Sequence, residues 1–127
     1  MRLVLFSACV LLLFSCRENK RIVKRIEGTW LLKDILLNDG QHLYPNDIYV
    51  FGKGESDGVT YSAWTKYPAD YSDTLTGKYL VTKKGEYIIL RDESVAPAQT
   101  DTCTIDDMDS EMLIFRSDLG VHYLYKQ

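Results

Sequence analysis

Ile22-Val23-Lys24-Arg25-Ile26-Glu27-Gly28-Thr29-Trp30-Leu31-Leu32 is the stretch on which the fold turns. It has the best helical spacing in the chain, and a helix running its full length would open the domain with a helical layer. Gly28-Thr29-Trp30 interrupts that reading, because a glycine, a β-branched residue and an indole are all poor helix formers. Any helix here is therefore expected to be a short turn, and Gly28–Leu37 to be the first strand.

Working outward, the rest of the chain repeats the chemistry of that first strand. β-Branched and aromatic residues fall in runs separated by Gly, Pro, Asn and Asp clusters. The runs are Gly28–Leu37, Asp47–Phe51, Gly58–Lys66, Leu75–Thr82, Glu86–Arg91, Thr100–Asp106, Met112–Arg116 and Val121–Lys126. Several alternate as half-buried strands do, for example Val121, Tyr123 and Tyr125 against His122 and Leu124. Asn38–Asn46, Tyr67–Thr74 and Asp92–Gln99 are long connections. Gly52–Asp57, Lys83–Gly85, Asp107–Glu111 and Ser117–Gly120 are short ones. In an up-and-down sheet successive turns fall at opposite ends, so the three long connections share one rim. Glu55-Ser56-Asp57-Gly58 and Lys83-Lys84-Gly85-Glu86 supply the Gly and Asp of tight hairpins at the other. The fold class expected is all-β, an eight-stranded antiparallel up-and-down β-barrel over 26–127. Such a barrel has no free edges, and its interior is about as small as can hold one ligand.

Ahead of the domain, Met1 to Ser15 reads as a secretory signal: Arg2 is a minimal cationic start, and Leu3–Phe14 is apolar but too short to span a bilayer. Leu13-Phe14-Ser15-Cys16 resembles the bacterial lipobox, which makes Cys16 the lipid-accepting residue and 16–25 a lipidated tether. Phe14 departs from the usual small or β-branched choice; the alternative is an ordinary secretory peptide cut near Ser15. The resemblance implies a bacterial envelope address, anchored to a membrane, the outer membrane being the expected one.

Composition excludes some partners. Of 15 Lys and Arg, Arg2 leaves with the signal, against 18 Asp and Glu. No basic face is left for nucleic acid, whose binding rests on neutralising phosphates, and only Lys20–Arg25 is locally basic. Of three cysteines, one leaves and one takes the lipid, so Cys103 has no intramolecular partner; alternation with Ile105 places it on a buried face.

Ile26-Glu27-Gly28-Thr29-Trp30 resembles the Gly-X-Trp opening of the first strand in lipocalins and lipocalin-like domains. The resemblance implies that Gly28 turns the chain into the strand and that Trp30 packs across the barrel's closed end. Gly77-Lys78-Tyr79-Leu80-Val81 and Glu111-Met112-Leu113-Ile114-Phe115 are similar to small lipocalin-like lipoproteins of Bacteroidetes-type envelopes. No long helix follows the last strand, and the arginine that usually covers the tryptophan is missing. Lys126 is the only cation placed for that role. The family implies a barrel that holds a small apolar or amphipathic molecule without dictating which.

Candidate site residues follow from position and residue type. Nine tyrosines provide apolar area with a hydroxyl. Tyr44, Tyr67 and Tyr71, in the long loops, are expected to ring the mouth with His42; Tyr79 and Tyr123 are expected to face inward. Asp34 interrupts the apolar face of Trp30, Leu32 and Leu36, and must find a partner if inward or be turned out by a bulge. His42 and His122 have no Cys or His companion at metal-ligand spacing, and Asp106–Glu111 lacks the glycine and glutamate of a calcium loop. No metal, cofactor or catalytic set is expected, and so no enzyme. Two functions remain in view. One is capture of a small amphipathic or apolar ligand at the wide rim. The other is an envelope protein-interaction module whose barrel is filled by Trp30, Leu36, Phe51, Tyr79, Leu113 and Tyr123.

Overall fold

The computed structural model describes residues 20–82 and 85–127. The segment expected to be a signal, the expected lipid acceptor Cys16, and Lys83 and Lys84 lie outside the described residues. A helix, α1 (residues 20–26), precedes nine strands: β1 (Gly28–Leu37), β2 (His42–Leu43), β3 (Asp47–Phe51), β4 (Ser62–Tyr67), β5 (Leu75–Val81), β6 (Tyr87–Asp92), β7 (Gln99–Met108), β8 (Met112–Arg116) and β9 (Gly120–Lys126). From β3 onward each strand pairs with the next, and β1 closes the sheet by pairing with both β3 and β9. The result is the closed eight-stranded antiparallel barrel expected from the sequence. β2 is one strand more than the sequence suggested; it occupies the edge of β1 beyond Leu32, where β3 has ended.

The register of β1 decides which side chains fill the barrel. Leu32 pairs with Leu124 and Asp34 with Tyr123, so Lys33 is an extra residue in a β-bulge. Trp30 and Leu32 point inward before the bulge, and Ile35 resumes the inner face after it, 5% exposed. Leu36 is thereby moved to the outside, correcting the expected row Trp30, Leu32, Leu36. On β9 the inner face also differs from one reading of its alternation. His122 pairs with the buried Phe115, and Leu124 with Leu113, so these face in; Tyr123 lies opposite Ile114 and Asp34 on the outer surface.

The half of the barrel nearest α1 is solidly filled. Trp30, Phe51, Tyr79, Leu113 and Leu124 interlock there, with Val23 and Ile26 of α1 pressed over the end. The described part of the 16–25 segment is thus packed against the domain. Gly28, at φ 128°, makes the sharp turn from α1 into β1 that few other residues adopt. Gly77 has a different reason to be glycine: a Cβ there would sit 1.9 Å from the Arg91 carbonyl oxygen and 2.7 Å from the Trp64 ring. Trp64 fills that gap and donates its Nε1 hydrogen to the Lys78 carbonyl at 3.0 Å.

Connections 38–46, 68–74 and 93–98 gather at the end opposite α1, as expected. The expected tight hairpin over Gly52–Asp57 does not form: β4 starts only at Ser62, leaving a 52–61 loop. Asp57 is the cause, since its carboxylate accepts from Val59 N, Thr60 N and the Thr60 hydroxyl, holding Gly58–Tyr61 away from the ladder.

Candidate ligand site at the open end

Strand alternation carries polar groups to the inside of the mouth. Phe51 and Trp64 are buried, so Asp47, Tyr49 and Lys66, two and four residues away, share their inner face. Lys66 Nζ is 3.5 Å from Asp47 Oδ2 and 5.6 Å from the Tyr49 ring centroid. Burial raises the Tyr49 hydroxyl's pKa. The same burial disfavours the Lys66 ammonium, but Tyr49 and Asp47 more than compensate and leave its pKa raised. Lys66 and Asp47 thus form an ion pair at the mouth.

Across the mouth, His122 stacks on Phe115 at 4.7 Å between ring centroids and places Nε2 2.8 Å from Ser117 Oγ. Its Nδ1 is buried without a partner among the described residues. Burial, with a smaller push from Lys66, lowers its pKa to about 4, so the imidazole is neutral at pH 7. Cys103 lies deeper, its thiol pushed up to about 11 by burial and then by Asp101 and Asp118. These groups offer hydrogen bonds and one neutralised ion pair, with no nucleophile held against a base.

Just outside the mouth, the 68–74 loop and the rim ends of β3 and β4 border an open cleft of about 570 Å³. Asn46, Ile48, Tyr67, Pro68, Tyr71 and Thr74 are among its walls. Asp47 joins the two regions: one oxygen meets Lys66 inside, and the other accepts from Ala69 N at 2.9 Å, pinning the loop. Asp70 accepts from Ser72 N at 2.9 Å, and Tyr71 N donates to Pro68 O at 3.2 Å, so the loop is built rather than slack.

The expected site residues do not converge on one place. Tyr67 and Tyr71 meet at the cleft, 49% and 98% exposed. Asp34, His42 and Tyr44 meet elsewhere, on the outer face of β1 and β2: the bulge turns Asp34 outward, His42 Nδ1 is 2.9 Å from its Oδ1, and the His42 and Tyr44 rings stack at 6.0 Å. Tyr79 is not at the mouth. It is 2% exposed in the filled half, and its hydroxyl donates to Gly52 O at 2.6 Å, with burial pushing its pKa up to about 12. Tyr123 points away from the interior, as its register shows. Gly28 and Trp30 lie at the closed end, with Trp30 Nε1 donating to Ile26 O at 2.8 Å.

Asp47, Lys66 and Asn46 were not expected. Lys66 was legible, since it stands two residues from Trp64 on one strand face; Asp47 and Asn46 depend on how the loops fold back. Among the described residues, no three of His, Cys, Asp and Glu converge to hold a metal ion. No helix there is long and apolar enough to cross a membrane. Comparison with known proteins finds no matching family model, no matching curated protein and no matching solved structure.

Proposed function

We propose that this chain is a lipid-anchored envelope protein whose lipocalin-like barrel takes a small amphipathic or apolar ligand at its open rim. The observation that carries the reading is the 570 Å³ cleft, in the usual size range of ligand pockets, where two of the expected tyrosines meet. Binding works by desolvation: each buried methylene contributes about 0.8 kcal/mol, and phenol hydroxyls fix orientation. Because α1 covers the closed end, a lipid on Cys16 attaches the protein by that end and turns the mouth away from the membrane. The exposed Lys20, Arg21 and Lys24 of α1 suit anionic headgroups. Native mass spectrometry of the protein from its own host tests the ligand. A co-purifying small mass that is lost in Tyr67→Ala is the expected result, and a bare protein mass overturns the reading. Unchanged membrane fractionation of Cys16→Ala overturns the anchor.

The protein-interaction reading is favoured by a separate observation. Four of the six residues expected to fill the barrel are buried in its interior, namely Trp30, Phe51, Tyr79 and Leu113. A stoichiometric envelope protein captured by cross-linking at Tyr71, with no small mass bound, favours that reading instead.

A further inference from the structure

We infer that the rim cleft selects an uncharged, polyhydroxylated ring ligand, a neutral glycan unit. The inference rests on the rim-ligand reading and names the chemistry of that same site.

The walls of the cleft carry no charged side chain. They combine two phenol rings, Tyr67 and Tyr71, with the side-chain amide of Asn46 and the hydroxyls of Ser72 and Thr74. A sugar ring has the complementary surface: a face of C–H bonds that stacks on an aromatic ring, and an edge of hydroxyls that both donate and accept hydrogen bonds. An alkyl chain would use the rings and leave the polar walls unmatched. A fully buried hydrocarbon site would also not hold Tyr71 at 98% exposure.

The backbone holds that ring out deliberately. Tyr71 has φ 62° and Asn46 φ 55°, both in the left-handed region, which asparagine visits readily and a tyrosine rarely does. Two such residues line one cleft, and the hydrogen bonds from Asp47 and Asp70 to the loop backbone keep the arrangement in place.

Charge around the cleft sets the sign of the selection. Asp70 and Asp73 lie on the loop itself and Asp47 lies beneath it; Lys66, the cation nearest Asp47, is engaged by it. The hydroxyl and backbone N–H of Ser72 lower the pKa of Asp70, so that carboxylate is ionised at neutral pH. An anionic sugar meets like charge here, with no cation among the described residues that line the cleft, whereas a neutral one meets hydrogen-bonding groups.

Saturation-transfer NMR on the full chain in phosphatidylcholine nanodiscs tests this. The probes are maltotriose, cellotriose and triacetylchitotriose as neutral glycans, sialyllactose as an anionic one, and 1-decanol as an amphiphile without a sugar ring. The expected result is transfer to the C–H protons of at least one neutral trisaccharide, reduced about tenfold in Tyr71→Ala, with sialyllactose at least tenfold weaker. Tyr71 is exposed, so the variant retains its fold, checked by its amide spectrum. Transfer to 1-decanol alone, lost in Tyr67→Ala, overturns the glycan inference while the rim-ligand reading survives. Equal transfer to sialyllactose overturns the charge selection and with it the inference. No transfer to any probe, with a protein partner captured at Tyr71 instead, overturns both.

Discussion

The ammonium of Lys126 stands 4.8 Å from the centroid of the Trp30 ring and donates to two carbonyls of the preceding turn, Arg25 O at 2.9 Å and Glu27 O. The last strand thereby fastens α1 to the barrel it covers. One ammonium caps carbonyls that the end of α1 leaves unpaired and lies over an aromatic face, two favourable uses of a single charge. Lys126→Met keeps the aliphatic stem and removes both. We expect a loss of about 2 kcal/mol, read as a lower urea midpoint with an unchanged slope. A variant as stable as the wild type would show that α1 is held by Val23 and Ile26 alone.

The space beside Gly77 is taken by Trp64 and the Arg91 carbonyl, neither of which is a flexible chain end. Gly77→Ala must therefore push the indole or spread β5 from β6. Overpacking of this kind costs about 1–3 kcal/mol, and backbone displacement adds to it. The expected outcome is a lowered melting temperature together with altered Trp fluorescence, because Trp64 is the residue that has to move. A melting curve superimposable on the wild type would mean the strands separate there at little cost.

Much of the architecture was legible because alternation and turn chemistry act locally. β3 and β8 fall on the expected residues, and the three long connections gather at one rim. The misses trace to single residues whose effect is not periodic. An extra residue at Lys33 reverses the facing of everything after it on β1, so Leu36 leaves the core and Ile35 enters it. The Asp57 carboxylate withdraws Gly58–Tyr61 from β4 through three hydrogen bonds. The exposure of Tyr67 and Tyr71 was legible from their place at the 68–74 connection, whereas the depth of Tyr79 was not, because residue type alone does not separate a core tyrosine from a rim one. The Asp47 bridge between Lys66 and the 68–74 loop joins residues distant in sequence, and no local pattern announces it.

Cys103 is 2% exposed, and burial followed by the charges of Asp101 and Asp118 raises its thiol pKa to about 11. The thiolate is the reactive form, so both access and ionisation protect it. In protein beginning at Arg17, where it is the sole cysteine, we expect no alkylation by iodoacetamide at pH 8 while the barrel is folded. Complete alkylation should follow in guanidinium chloride. Rapid modification of the native protein would mean the barrel wall at β7 opens readily.

His122 gives the barrel a pH dependence whose sign is fixed by burial. Its pKa is about 4 in the folded chain against an ordinary value of 6.5, the buried ring disfavouring the charged form and Lys66 adding to the effect. Between those values the unfolded chain takes up a proton that the folded one does not, so stability falls as pH drops from about 6.5 toward 4 and levels off below. The ring is partly accessible, which screens the effect; a loss on the order of 1–2 kcal/mol across the window is expected. Carboxylates titrate near the lower end of the same range, so the decisive quantity is a difference. His122→Phe keeps a ring stacked on Phe115 and removes the titration, so between pH 7 and pH 4 the wild-type urea midpoint should fall relative to that of the variant. Parallel curves would mean that the imidazole gains a proton as easily inside the barrel as outside it, and that its Nδ1 reaches solvent in the folded protein.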